Sequence, residues 1–184
     1  MKYWSKSVLS VYRYLATMTN TIDKLVLNMG KSSNSALQNN YQSTFYQASK
    51  IIELMNRKRK MINLKVAVES AISKLRTTER RIITLVFVDG VTSELISQLL
   101  GMSIRTFFRK KNQALKEFSN MLQEIGFDEE FFESEYYSEK WFMAVYDDCV
   151  SKNAEGEEIL DKYLVKRVLN EVSKINMAYN NTYI

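Results

Sequence analysis

Residues 99–115 read LLGMSIRTFFRKKNQAL. A glycine interrupts the apolar run at Gly101, Ser103 follows two places later, and cations then alternate with phenylalanines up to Ala114 and Leu115. Gly101 lets the backbone turn left-handed without a Cβ penalty. Ser103 is placed to cap a helix beginning just after it and running to about Glu124, before Gly126. In that helix Ile104, Phe107, Phe108, Ala114, Leu115, Phe118, Met121 and Leu122 recur at intervals of three and four, the spacing of a buried face. Arg105, Arg109, Asn112, Gln113 and Lys116 share the opposite side, with Thr106 and Lys110 flanking them. The phenylalanines are therefore expected to be anchors, and the cations to face outward.

Upstream, Thr92 caps a short helix, SELISQLL, whose Leu95, Ile96, Leu99 and Leu100 are expected to be buried. A helix over roughly Glu79 to Val88 precedes it, with Thr77 or Thr78 as its cap and Asp89-Gly90 as its end. A short capped helix, a Gly-Met-Ser turn and a cationic second helix make the sequence form of a helix-turn-helix. The second helix of that motif enters the DNA major groove. The outward residue types suit such a groove. Arg donates bidentate bonds to guanine, Asn and Gln pair with adenine, and Lys and Thr grip phosphates. The candidate DNA-binding residues in this segment are Thr92, Ser103, Arg105, Thr106, Arg109, Lys110, Asn112, Gln113 and Lys116.

Residues 68–122 resemble region 4 of the sigma-70-type transcription initiation factors, and are similar to the corresponding module of ArpU-like phage-related regulators of Gram-positive bacteria. The likeness rests on Leu75, Glu79-Arg80-Arg81, Asp89-Gly90, Glu94-Leu95-Ile96 and Leu99-Leu100-Gly101, completed by Ser103, Thr106, Phe107, Ala114 and Leu115. It implies a role in transcription, with double-stranded DNA as partner and RNA polymerase as a second one. Two departures stand out. Lys111 occupies a place where many relatives carry an apolar residue, and nothing before residue 68 matches the polymerase-binding and promoter-melting region of a sigma factor. The resemblance thus implies a regulator carrying the region 4 reader rather than an autonomous sigma factor.

Composition narrows the remaining classes. Among 184 residues there is no proline and only five glycines, which favours helix throughout. No apolar run approaches the ~20 residues that span a bilayer, and no signal-peptide pattern opens the chain. The single cysteine, Cys149, suits a reducing cytoplasm and reads as a buried structural thiol. Histidine is absent, which removes the commonest general base and metal ligand. No nucleophile or phosphate-loop motif appears, so no catalytic residue, cofactor or metal is assigned. The charge is uneven: residues 1–60 carry ten Lys/Arg against two Asp/Glu, and residues 126–184 carry six against thirteen. The first two-thirds suit a polyanion and the last third repels one.

The flanks read as helices too. Trp4, Val8, Val11, Leu15, Met18, Ile22, Leu25 and Met29 form a heptad stripe along one helix, 4–29, ending near Gly30. It offers a homodimer seam or an internal packing face; Tyr12, Tyr14 and Val26 widen it toward the latter. Residues 30–40 read as a loop. A second helix carries Tyr41, Phe45, Ala48, Ile52 and Met55 into the run Arg57, Lys58, Arg59, Lys60, a solvated face or a phosphate-contacting patch. A third helix is expected from Ile62 to Leu75. Beyond Gly126, acidic residues interleave with aromatic ones. A core-facing helix then shows Trp141, Val145, Tyr146 and Cys149, and a last one, over about Glu155 to Tyr179, shows Ile159, Leu160, Tyr163, Leu164, Val168, Val172 and Ile175.

The expected protein is all-α and cytoplasmic. A basic helical arm (1–61) and an acidic helical region (126–184) flank a helix-turn-helix domain (62–125). Its expected work is sequence-specific DNA binding in transcriptional control. The alternative is a module that docks RNA polymerase or another regulator without reading DNA.

Overall fold

Nine α-helices and no strand make up the described residues of the computed structural model, which are 2–35, 41–151 and 162–174, with side chains placed for 2–31, 44–151 and 163–174. In chain order they are α1 (Lys2–Tyr12), α2 (Leu15–Ser35), α3 (Tyr41–Lys74), α4 (Thr77–Ile83), α5 (Ser93–Leu99), α6 (Ile104–Glu124), α7 (Glu129–Tyr136), α8 (Lys140–Ser151) and α9 (Lys162–Ser173). One π-helical turn, Thr84–Val88, extends α4.

The heptad stripe is divided between two helices, because the chain breaks at Arg13 and Tyr14. Arg13 leaves the helix to donate from Nη2 to the Val88 carbonyl at 3.0 Å, at the end of the π-helical turn. Its guanidinium also occupies the space that a side chain at Gly90 would need, and Gly90 has a φ of +67°. Only glycine combines that dihedral with that close approach.

α1 lies at the centre. Trp4, Ser5, Ser7, Val8, Leu9, Ser10 and Val11 are all buried, and the helix packs on α3, α6, α8 and the π-helical turn at once. Small serine side chains let neighbouring helices approach closely, and Ser7 satisfies its hydroxyl by donating to the Tyr3 carbonyl at 2.7 Å. Trp4 lies 5.5 Å from the Phe132 ring and 6.0 Å from Phe142, nearly parallel to both. The stripe from Trp4 to Ile22 is therefore consumed inside the chain, and the homodimer seam expected along residues 4–29 is not available.

Three further expectations change. α2 continues through Gly30 to Ser35, where a loop was expected; residues 36–40 lie outside those described. The two helices expected on either side of Lys60 are one, α3, so the division between residues 61 and 62 falls inside a continuous helix. α3 also shows two apolar stripes rather than one. Leu54, Met61, Leu64, Val68, Ala71 and Leu75 are buried, while Phe45, Ala48, Ile52 and Met55 face outward. Both sets keep helical spacing, in steps of three, four or seven, so periodicity alone did not choose between them.

The C-terminal third is built into the same core. α8 packs on α1 and α9, and α9 packs on α2. Leu164, Val168 and Val172 are buried as expected, whereas Tyr163 is exposed; Ile159, Leu160 and Ile175 lie outside the described residues. Cys149 is buried with its Sγ 3.9 Å from Ser10 Oγ, and burial pushes the thiol pKa up. This matches a structural thiol.

The cationic run on α3 connects the two ends of the chain. Arg57 is only 8% exposed. Its Nη1 donates to the carbonyls of Val172 at 2.6 Å and Lys174 at 2.8 Å, at the C-terminus of α9, and its Nη2 pairs with Glu53 at 3.1 Å. A guanidinium there satisfies carbonyls that the helix leaves open. Lys58 pairs with Asp23 at 2.5 Å and Lys60 with Glu139 at 3.1 Å. Removing Arg57 strands several buried acceptors, so Arg57→Ala is expected to cost roughly 3–5 kcal/mol. Arg59→Ala, on the exposed side, should stay within about 0.5 kcal/mol. Urea unfolding of both variants checks this; equal losses would remove the distinction.

Candidate nucleic-acid interface

Two caps and two glycines set the geometry of the motif. The Thr92 Oγ1 accepts from the Leu95 amide at 3.5 Å and starts α5. Gly101 takes a φ of +61°, and the Ser103 Oγ accepts from the Thr106 amide at 3.3 Å to start α6. Ser103 also donates to Thr106 Oγ1 at 3.0 Å. The cap expected for α4 is different. Arg76 precedes it with no side-chain cap, and α4 begins at Thr77. Arg80 instead reaches back to the Ser73 and Leu75 carbonyls that α3 leaves open.

α6 is seated by α1, α3, α4 and α5. Phe107, Ala114, Phe118 and Leu122 are buried, as their spacing required, and Lys111 is buried among them at 3% exposure. Its amine lies 4.9 Å from the Phe108 ring centroid and 5.9 Å from that of Phe107. The lysine that departs from the apolar pattern of the resemblance thus occupies the apolar place, its stem in the core and its cation against two aromatic faces. Burial pushes its pKa down to about 8, and the nearby Lys6 adds to the shift.

The expected buried face needs correcting at its edge. Ile104 and Phe108 are each 41% exposed, and on α5 Leu95 and Leu99 are exposed while Ile96 is buried. Both helices present an arc narrower than the apolar pattern, because Lys111 fills the middle of the α6 seat and a seven-residue α5 covers its neighbours through Ile96 and Ser97.

The opposite face is open. Arg105, Arg109, Asn112, Gln113 and Lys116 are on it, all exposed, with the half-buried Thr106 and Lys110 at its border. Among the described residues Arg105, Arg109, Lys110 and Lys116 have no ion-pair partner. Thr92 and Ser103 are exposed, but their hydroxyls serve as caps. Arg57 is buried and cannot reach a phosphate, and Lys58 and Lys60 are held by carboxylates. Of that run Arg59 alone faces solvent without an ion-pair partner among the described residues.

A contiguous cationic and amide-bearing face, on a helix entered through a capped turn, has the shape and chemistry of a major-groove reader. Residues 65–118 match the family described as sigma-70, region 4. The segment is a sigma-70 region 4-like helix-turn-helix. This region 4-like module begins in the last third of α3 and ends at Phe118, within α6. The match points to a DNA-binding, transcription-related role for that segment. No curated protein and no solved structure matches the chain. Among the described residues no helix is long and apolar enough to cross a membrane, and no group of three or more His, Cys, Asp or Glu is placed to hold a metal ion.

The seat of α6 sets two expectations for stability. Phe107→Ala should cost about 3–5 kcal/mol as a buried aromatic truncation, and Phe108→Ala should cost clearly less, since much of the ring is in solvent. Denaturant unfolding of both variants measures the gap. Lys111 gives a pH signature. In the folded chain it titrates near 8, whereas in the unfolded chain it titrates near the ordinary lysine value of about 10.4. The unfolded state holds the proton more tightly, so stability rises with pH across that window and the full penalty is present below it. Lys111→Met should therefore be more stable than the parent at pH 7, with a margin that narrows as pH rises above 8. Unfolding midpoints at pH 7 and at about pH 9.5, inside the window set by the two pKa values, test this. A margin independent of pH would show that Lys111 titrates normally.

Proposed function

We propose that this protein is a sequence-specific DNA-binding regulator of transcription that reads the major groove with α6. The observation carrying the reading is the single outward arc of Arg105, Arg109, Asn112, Gln113 and Lys116, whose counter-arc is locked into the core. In this reading residues 62–125 carry the DNA contacts, and residues 1–61 and 126–184 hold them in place. The family match supports RNA polymerase as a second partner. No catalytic role is assigned.

Arg105 and Arg109 lie one turn apart near the start of α6, where recognition helices approach bases. Lys116 lies two turns further on and suits a phosphate. Replacing an arginine that makes a bidentate base contact should cost roughly 1–3 kcal/mol and relax the preference at one base pair. Lys116→Ala should instead weaken all sequences evenly and flatten the log–log salt dependence by about 0.9, the slope that one neutralised phosphate supplies.

The test is fluorescence anisotropy of the full chain on a site selected from random duplexes, at several salt concentrations. A folded Arg105→Ala, Arg109→Ala double variant that binds the selected site like the parent would remove the reader assignment. Absence of any salt-dependent DNA affinity would favour the alternative, a module that docks polymerase or another regulator without touching DNA.

A further inference from the structure

The reader assigned above leaves two residues of α6 unexplained. Ile104 and Phe108 are the large apolar side chains that α6 exposes, and both lie in its first two turns. They sit four residues apart and so on one side of the helix, next to the side that carries Arg105 and Asn112. A single exposed apolar residue is ordinary. Here two are aligned at the end of the helix that enters the groove, beside arginines with no ion-pair partner among the described residues.

The Phe108 ring is also held in place. Its centroid lies 5.4 Å from that of Phe107, which is fully buried, at an interplanar angle of 60°. The Lys111 amine stands 4.9 Å from the same centroid. Two core residues therefore fix the ring, and the rest of it projects to solvent at the border of the basic face. That is the arrangement expected of a preorganised contact rather than of a side chain that simply failed to fit.

Base edges in the major groove are donors and acceptors with one apolar exception, the C5-methyl group of thymine. We propose that Ile104 and Phe108 form an apolar reader of thymine methyl groups within the recognition face. The preferred site then carries A·T pairs where the first two turns of α6 meet the bases, beside G·C pairs read by Arg105 or Arg109. This inference rests on α6 being the DNA reader, and it names the bases that reader prefers.

The experiment replaces each thymine of the selected site, one at a time, by deoxyuridine. That exchange deletes the methyl group and leaves the pairing edge intact. With the full chain, one or two positions should lose about fourfold in affinity, the worth of one buried carbon group. Phe108→Ala and Ile104→Ala, confirmed helical by circular dichroism, should bind the thymine and uracil forms equally at the position each residue reads. A site in which no thymine senses its methyl group overturns the proposal while leaving the reader intact, and assigns the two residues to a protein partner instead. A methyl penalty that persists in both variants overturns it as well. If selection returns no preferred sequence, the reader itself falls, and this inference falls with it. The scan on the unmodified protein decides even where a variant does not fold.

Discussion

An eleven-residue helix buried along most of its length constrains this molecule. α1 buries seven of the eight residues from Trp4 to Val11, so each neighbour must supply a surface to cover it. α6 supplies its apolar arc and α8 supplies another, while Phe132 and Phe142 lie nearly parallel to Trp4. The serines of α1 keep the spacing close enough for both contacts. α6 thus owes its orientation to a segment about a hundred residues earlier in the chain. The Arg13 bond to Val88 adds a second tie from the end of α1 to the turn before α5. Recognition requires side chains held in fixed register, and the register of α6 comes from burial of its apolar face.

The charge asymmetry acquires a structural account from the same assembly. Much of the basic run on α3 is directed inward, to Glu139, to Asp23 and to the carbonyl end of α9. Tyr136 adds a bond from its hydroxyl to the Lys60 carbonyl at 2.9 Å, and burial pushes that phenol's pKa up. Part of the acidic third therefore neutralises part of the basic first third. Among the described residues, Arg105, Arg109, Lys110 and Lys116 of α6 take no part in this pairing.

Position within a short segment was legible in the sequence wherever one residue type answers one local need. Gly101 and Gly126 take positive φ, Thr92 and Ser103 cap their helices, and the spacing of Phe107, Ala114, Phe118 and Leu122 fixes the buried arc of α6. The outward face followed from the same arithmetic. These features depend on backbone geometry over a few residues, which a single chain displays directly.

What lies at the edge of a pattern was decided only by tertiary packing. Periodicity says that Phe45 and Leu54 each belong to an apolar stripe of α3, but the arrival of α1, α2 and α6 determines which stripe is covered. Phe108 and Lys111 exchange the environments their chemistry suggests, because the seat of α6 accommodates a long aliphatic stem where a second phenylalanine ring would have to fit beside Phe107. Arg57 reads as a candidate for phosphate until α9, over a hundred residues later, brings open carbonyls to it. The sequence by itself determined most of the helices, the turn and the outward face of α6; which cations remained free on it, and which apolar groups joined them, depended on contacts between segments far apart in the chain. Burial energy and ion pairing act on neighbours in space, and the order of residues does not name those neighbours.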